Sequence, residues 1–287
     1  MKKLIFSLLL IGAIASSASA QLTPMKSQYF QNPYLVNPAM AGKDARTSVF
    51  ANYANQWNKI EGSPVLMSFS ASTPINDKAS VGINIINDKA GLLARTQAMG
   101  TFAYRVPLDE ENHNIRFGVS LSWRQDRFDV GTASGSGNAD PALNKYNDKE
   151  NYLDGNFGVS YQLKGFEAQF SYLNLNQNRS GRVSTVDYST FYSSVSYLLP
   201  IDQLLSVKPL FAYRGIKGYK NMWDAAAEWK LAELAFYTMY HSNSSFTGGI
   251  GYDYRKSLNI SVMYNSEPAD IRGISGGIFD LAVGYKF

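Results

Sequence analysis

The chain has 287 residues, no cysteine, 14% aromatic residues including 19 tyrosines, and a formal charge of +4. The missing cysteines exclude a disulfide framework, thiolate zinc sites and a cysteine nucleophile, and the small, scattered charge leaves no basic face for nucleic acid. The tyrosine excess favours strands and membrane interfaces over an ordinary helical core.

Residues 1–20, MKKLIFSLLLIGAIASSASA, read as a secretory signal peptide: Lys2 and Lys3, an apolar run from Leu4 to Ile14, then Ala18-Ser19-Ala20 before Gln21. The run is short for a spanning helix, and no later stretch reaches the roughly 18 to 20 apolar residues such a helix needs. Residues 21–45 are expected to form an N-terminal periplasmic segment. Its stretch SQYFQNPYLVNPAMAGK carries the steps Asn32-Pro33 and Asn37-Pro38. Proline removes a ladder donor and restricts the residue before it, so this stretch is a pair of turns and not a strand. It presents Tyr29, Phe30, Tyr34 and Leu35, whose apolar surface needs a cover. The cover is either the mouth of the downstream domain, with the segment as a plug, or another protein. Tyr29, Phe30, Asn32, Pro33, Tyr34, Leu35, Asn37, Pro38 and Gly42 are therefore the candidate partner-binding residues.

From about residue 46 onward the chain alternates with period two. In HNIRFGVSLSWRQ, Ile115, Phe117, Val119, Leu121 and Trp123 are apolar, while Arg116, Gly118, Ser120, Ser122 and Arg124 are small or polar. Fourteen such segments are expected, at about 46–57, 63–74, 79–87, 92–106, 113–126, 152–163, 165–175, 188–199, 203–214, 220–230, 232–241, 245–255, 257–265 and 275–287. Their lengths suit tilted bilayer-crossing strands, which need roughly 9 to 11 residues.

The long connections, 127–151, 176–187 and 266–274, all follow odd-numbered segments, whereas those after even ones are short, such as Lys164-Gly165. Long outer loops with tight periplasmic turns are the asymmetry of an outer-membrane barrel. The last segment carries Phe279, Leu281, Val283, Tyr285 and Phe287 on one face, similar to the signal by which such barrels are recognised for insertion. The expectation is an all-β, antiparallel, up-and-down transmembrane β-barrel of about 14 strands over residues 46–287.

The inward set mixes both charge signs: Arg95, Arg105, Arg116, Arg124, Glu167, Lys208, Arg214, Asp224, Asp253, Arg255, Asp280 and Lys286. A lumen cross-linked by ion pairs is expected from it, more than one tuned to a solute. Only two histidines are present, His113 and His241, and neither belongs to a metal or nucleophile motif. No enzymatic activity, cofactor or metal is expected.

QYFQNPYLVNPAMAG (28–42), NQWNKIEGSPVLMSFSASTPI (55–75) and GINIINDKAGLLARTQAMGTFAYRVPL (82–108) together resemble the PorP/SprF family of Bacteroidetes outer-membrane proteins. The carrying residues are the Asn-Pro pair ending in Ala-Gly, Gln56-Trp57 with Gly62 and Pro64 behind it, and the turn through Asn87, Asp88 and Gly91. The resemblance implies a barrel in the cell outer membrane working with the type IX secretion system. It also implies roles in secreting or surface-anchoring particular C-terminal-domain substrates, gliding adhesins among them, and partnership with a periplasmic peptidoglycan-binding lipoprotein. A diffusion porin or specific uptake channel is the alternative.

Overall fold

The computed structural model describes residues 27–56, 63–109, 113–128, 151–175, 190–216, 220–267 and 276–287. Residues 1–20, expected to be a signal peptide, lie outside them, as do most of the three long connections. The strands are β1 (Ser48–Gln56), β2 (Val65–Pro74), β3 (Ala79–Ala90), β4 (Leu93–Pro107), β5 (Asn114–Phe128), β6 (Asn151–Leu163), β7 (Phe166–Leu173) and β8 (Thr190–Tyr197). They continue with β9 (Leu199–Pro200), β10 (Leu205–Ile216), β11 (Met222–Leu231), β12 (Leu234–His241), β13 (Phe246–Tyr254), β14 (Leu258–Asn265) and β15 (Ile278–Lys286).

Every pairing is antiparallel between chain neighbours, and β1 also pairs with β15, from Ser48↔Lys286 to Gln56↔Ile278. That last ladder closes the sheet, so among the described residues no strand is left as an edge. β8 and β9 are one strand in two pieces. The pairs Ser196↔Leu210 and Leu199↔Val207 keep a single register across the gap, and the interruption falls opposite Pro209, which has no N–H to donate. The described residues therefore form a fourteen-strand barrel, and each of the fourteen alternating segments corresponds to one strand.

The alternation is inverted relative to a soluble sandwich. On β5, Phe117 and Leu121 are 42% and 65% exposed, whereas Arg116 and Ser122 beside them are 5% and 0% exposed. Apolar side chains face outward and polar ones inward, the arrangement a lipid surround requires. Aromatic pairs mark both rims: Phe211, Trp223 and Tyr240 cluster at one end, with ring centroids 6.3 and 5.8 Å apart, and Tyr285 and Phe287 meet at 4.8 Å at the other.

The short turns, including Lys164-Gly165, Ala232-Glu233 and Arg255-Lys256-Ser257, share one end with the start of β1 and the last residue. The usual barrel asymmetry would put this end on the periplasmic side. Arg255, expected in the lumen, is instead exposed in its turn, with φ 51° and its guanidinium 5.1 Å from the Tyr254 ring centroid. The strand period stops one residue earlier than the alternation suggests, because the tight turn takes a left-handed residue there. Several of the remaining lumen charges form ion pairs, whereas Arg116 and Asp280 are held by neutral hydrogen-bonding groups. Arg95 meets Asp126 at 3.1 Å, Arg124 meets Asp126 at 3.6 Å, Arg214 meets Asp224 at 3.4 Å and Lys230 meets Asp253 at 3.0 Å.

Candidate functional site

The two Asn-Pro steps build two single 3-10 turns, Pro33–Leu35 and Pro38–Met40. In each, proline takes the first helical position, where its fixed φ suits the turn and its missing N–H costs nothing. Asn37 caps the second turn by accepting from the Ala39 N–H at 3.0 Å. Asn32 does not cap. Its amide donates across to Ser70 Oγ at 2.7 Å.

This segment lies inside the barrel. From Ser27 to Gly42 every residue is buried except Phe30 and Pro33, which are half-buried. Its contacts reach nearly all round the wall. Gln28 donates to Asp280 at 3.1 Å, and Ser27 and Asn52 donate to the same carboxylate. Tyr29 donates to Asp224 and stacks on Tyr192, and Phe30 stacks on Tyr237. Tyr34 donates to Thr101 at 2.7 Å. Burial pushes the Tyr34 phenol up to about 12, against a smaller opposing effect of the Thr101 bond, so it stays a protonated donor at neutral pH.

Farther along, the Asn37 amide donates to the Val159 carbonyl and to Gln169, both at 3.2 Å, and Ser171 donates to the Val36 carbonyl at 2.6 Å. Arg116 donates to the carbonyls of Ala39 and Ala41 at 2.9 and 2.7 Å. Lys43 pairs with Glu167 before the chain turns into β1. That turn needs Gly42, whose φ is +63° and whose missing side chain leaves room for Ser80. Cavities of about 600 and 340 Å³ remain beside the segment, sharing Phe30, Gln31, Glu228 and Lys230 in their walls.

The wall is shaped to receive the turns. A Cβ on Gly118 would overlap the Pro38–Ala39 backbone, one on Gly158 would overlap the Asn37 side chain, and one on Gly82 would come within 2.8 Å of the Tyr34 hydroxyl. Gly118 and Gly158 face each other across the β5–β6 ladder. They belong to a repeated Phe-Gly-Val-Ser, residues 117–120 and 157–160, a signal that could have located the seat in advance, since a strand-interior glycine marks a close backbone approach. Gly118→Val is expected to dislodge the second turn while leaving the ladder intact. Limited proteolysis should then cleave between residues 27 and 43 in the variant, where the parent protein resists.

All nine candidate partner-binding residues thus lie inside the barrel, and Tyr29, Phe30, Asn32, Tyr34, Asn37, Pro38 and Gly42 meet its own wall. Of the family-motif residues, Asn87 donates to Thr96 at 2.9 Å and Asp88 lies 4.0 Å from Arg95. Gly91 supplies φ +58° at the β3–β4 turn, and Pro64 is half-buried just before β2. Trp57, Gly62 and the Gln56 side chain lie outside the described residues. Sequence reasoning missed the acceptor role of Asp280 and the network around His241. That histidine sits opposite Asp224 in the ladder, 2.6 Å from its carboxylate through Nδ1, with Nε2 2.8 Å from Thr247 Oγ1. The Thr247 hydroxyl is 1% exposed and hydrogen-bonds Asn265 at 2.5 Å. The arrangement ties β11, β12, β13 and β14 together and gives a substrate no approach to the hydroxyl.

Among solved structures, the chain is similar to a monoaromatic hydrocarbon channel, CymD, at 13% identity over 89% of this chain and 92% of that one, with a TM-score of 0.52. It is also similar to the Acinetobacter baumannii outer membrane protein Omp33, at 8% identity over 84% and 97% of the two chains, with a TM-score of 0.49. No curated protein matches the chain. The CymD likeness carries the fold alone, an outer-membrane type of barrel. A family profile described as "Type IX secretion system membrane protein PorP/SprF" matches residues 18–285. The chain, a barrel with its Asn-Pro turns seated against the inner wall, belongs to the PorP/SprF family of type IX secretion system membrane proteins.

Proposed function

We propose that the protein is a non-enzymatic outer-membrane component that serves the type IX secretion system by escorting or anchoring particular substrates with a C-terminal sorting domain, gliding adhesins among them. One observation beyond family membership supports this over a diffusion porin: residues 27–43 of the chain itself occupy part of the lumen, held by hydrogen bonds to the wall from β2 to β15. A porin function asks for a passage through the middle, whereas a holding function asks for rims and an outer face. Partners then meet the barrel at its ends, a secreted substrate at the long-loop end and a periplasmic peptidoglycan-binding lipoprotein at the short-turn end.

The test is a mild-detergent pull-down of the tagged mature barrel from its own outer membrane after cross-linking. The expected result is co-purification of a large protein with a C-terminal sorting domain, or of periplasmic type IX components. Recovery of the barrel alone would sink the escort reading and return the weight to a channel.

A further inference from the structure

Arg105 on β4 and Arg116 on β5 stand directly opposite each other near the short-turn end. Facing like charges on a ladder repel, so the position is unfavourable unless negative charge or its equivalent is supplied. Arg116 is partly supplied, through the carbonyls of Ala39 and Ala41. Arg105 is not. Its Nε is buried without a hydrogen-bond partner, and among the described residues no carboxylate forms an ion pair with it. The nearby acids are engaged elsewhere: Glu167 holds Lys43 and Asp44 holds Lys286. Asp77 sits exposed on the β2–β3 turn.

Both arginines line a cavity of about 280 Å³, whose remaining wall comes from Gly42, Lys43, Ala45, Ser80 and the β2–β3 turn, Asp77 included. In that turn Asn76 uses its carbonyl oxygen to accept from the N–H groups of Lys78 and Ala79, at 2.9 and 2.8 Å, which leaves its amide nitrogen as the group it can offer a ligand. We infer that this cavity is an oxyanion site, taking a carboxylate or phosphate group between Arg105 and Arg116. Planar guanidinium forks match the paired oxygens of either group. At about 30 Å³ per water the space equals roughly nine waters, room for a hydrated anion or an acidic side chain of a partner. Its position at the short-turn end assigns access from the periplasmic side. The site stands on these contacts and does not depend on which substrate the barrel serves.

The two sources of such a group are free inorganic phosphate and the carboxylates of a protein partner. Isothermal titration of the full mature barrel in detergent separates them, using sodium phosphate and, separately, a tetraglutamate peptide, each at fixed ionic strength made up with chloride. Saturable binding of at least one probe is expected, with tighter phosphate binding naming the free anion and tighter peptide binding naming a protein carboxylate. Arg105→Gln should weaken the binding about tenfold or more, and Arg105→Lys should retain most of it. Asp77→Asn, on an exposed turn that folding does not need, should tighten it severalfold by removing the acid at the rim. Absence of saturable binding by both probes, Arg105→Gln binding like the parent, or an unchanged affinity in Asp77→Asn would each overturn the site.

Discussion

Deleting residues 27–43 is expected to raise the single-channel conductance of the barrel in planar bilayers by roughly tenfold or more, because a polar lumen freed of its filling conducts ions as porin-type barrels do. The wall does not depend on the segment for its ladder, since every strand pairs only with other wall strands, closing through β1 and β15. The deletion should therefore insert and show the same heat-dependent shift in gel migration as the parent. What the wall loses is hydrogen bonding on its inner face. Asp280 loses Ser27 and Gln28 but keeps Asn52, Ser70 and Thr101 lose their partners on the segment, and Arg116 loses two carbonyls. Water entering the opened lumen replaces those bonds. If the parent conducts as strongly as the deletion, the segment does not limit passage, and the lumen-filling argument against a porin is lost.

The barrel was legible because membrane strands write their own geometry. Alternation like that of Ile115 to Trp123 states which face meets lipid. The turns at Asn32-Pro33 and Asn37-Pro38 were legible for the same local reason, since proline sets φ and removes a donor wherever it falls. Where those turns go was not local. Tyr34 announces only that something must cover it, and its ring proves to lie over Gly82, while Gly118 and Gly158 seat the second turn from positions that period-two reading does not connect to it. The repeated Phe-Gly-Val-Ser carried that information, but its meaning depends on the ladder register that sets Gly118 against Gly158. His241 teaches the same point. The serines that follow it in sequence are the obvious partners, yet its ring nitrogens meet Asp224 across one ladder and Thr247 across the next turn.

The second large effect is expected at Asp224, which is fully buried and holds Arg214, His241 and Tyr29 at once. Asp224→Ala leaves a buried guanidinium without its counter-charge and strands two hydrogen-bonding partners, and breaking a buried pair from one side costs about 3–5 kcal/mol. Urea unfolding of the barrel refolded into lipid vesicles should show that loss. Asp224→Asn, which keeps the shape and an acceptor for Tyr29, should lose less. The cause is separable from simple loss of packing, because the penalty comes from the arginine that stays behind. Adding Arg214→Met to Asp224→Ala removes the orphaned charge, and the double variant should recover a substantial part of the stability although it carries one more mutation. A single variant within about 0.5 kcal/mol of the parent would mean that water reaches Arg214 and solvates it. A double variant no better than the single would place the cost on Tyr29 and His241, making the network a matter of hydrogen bonds and not of charge.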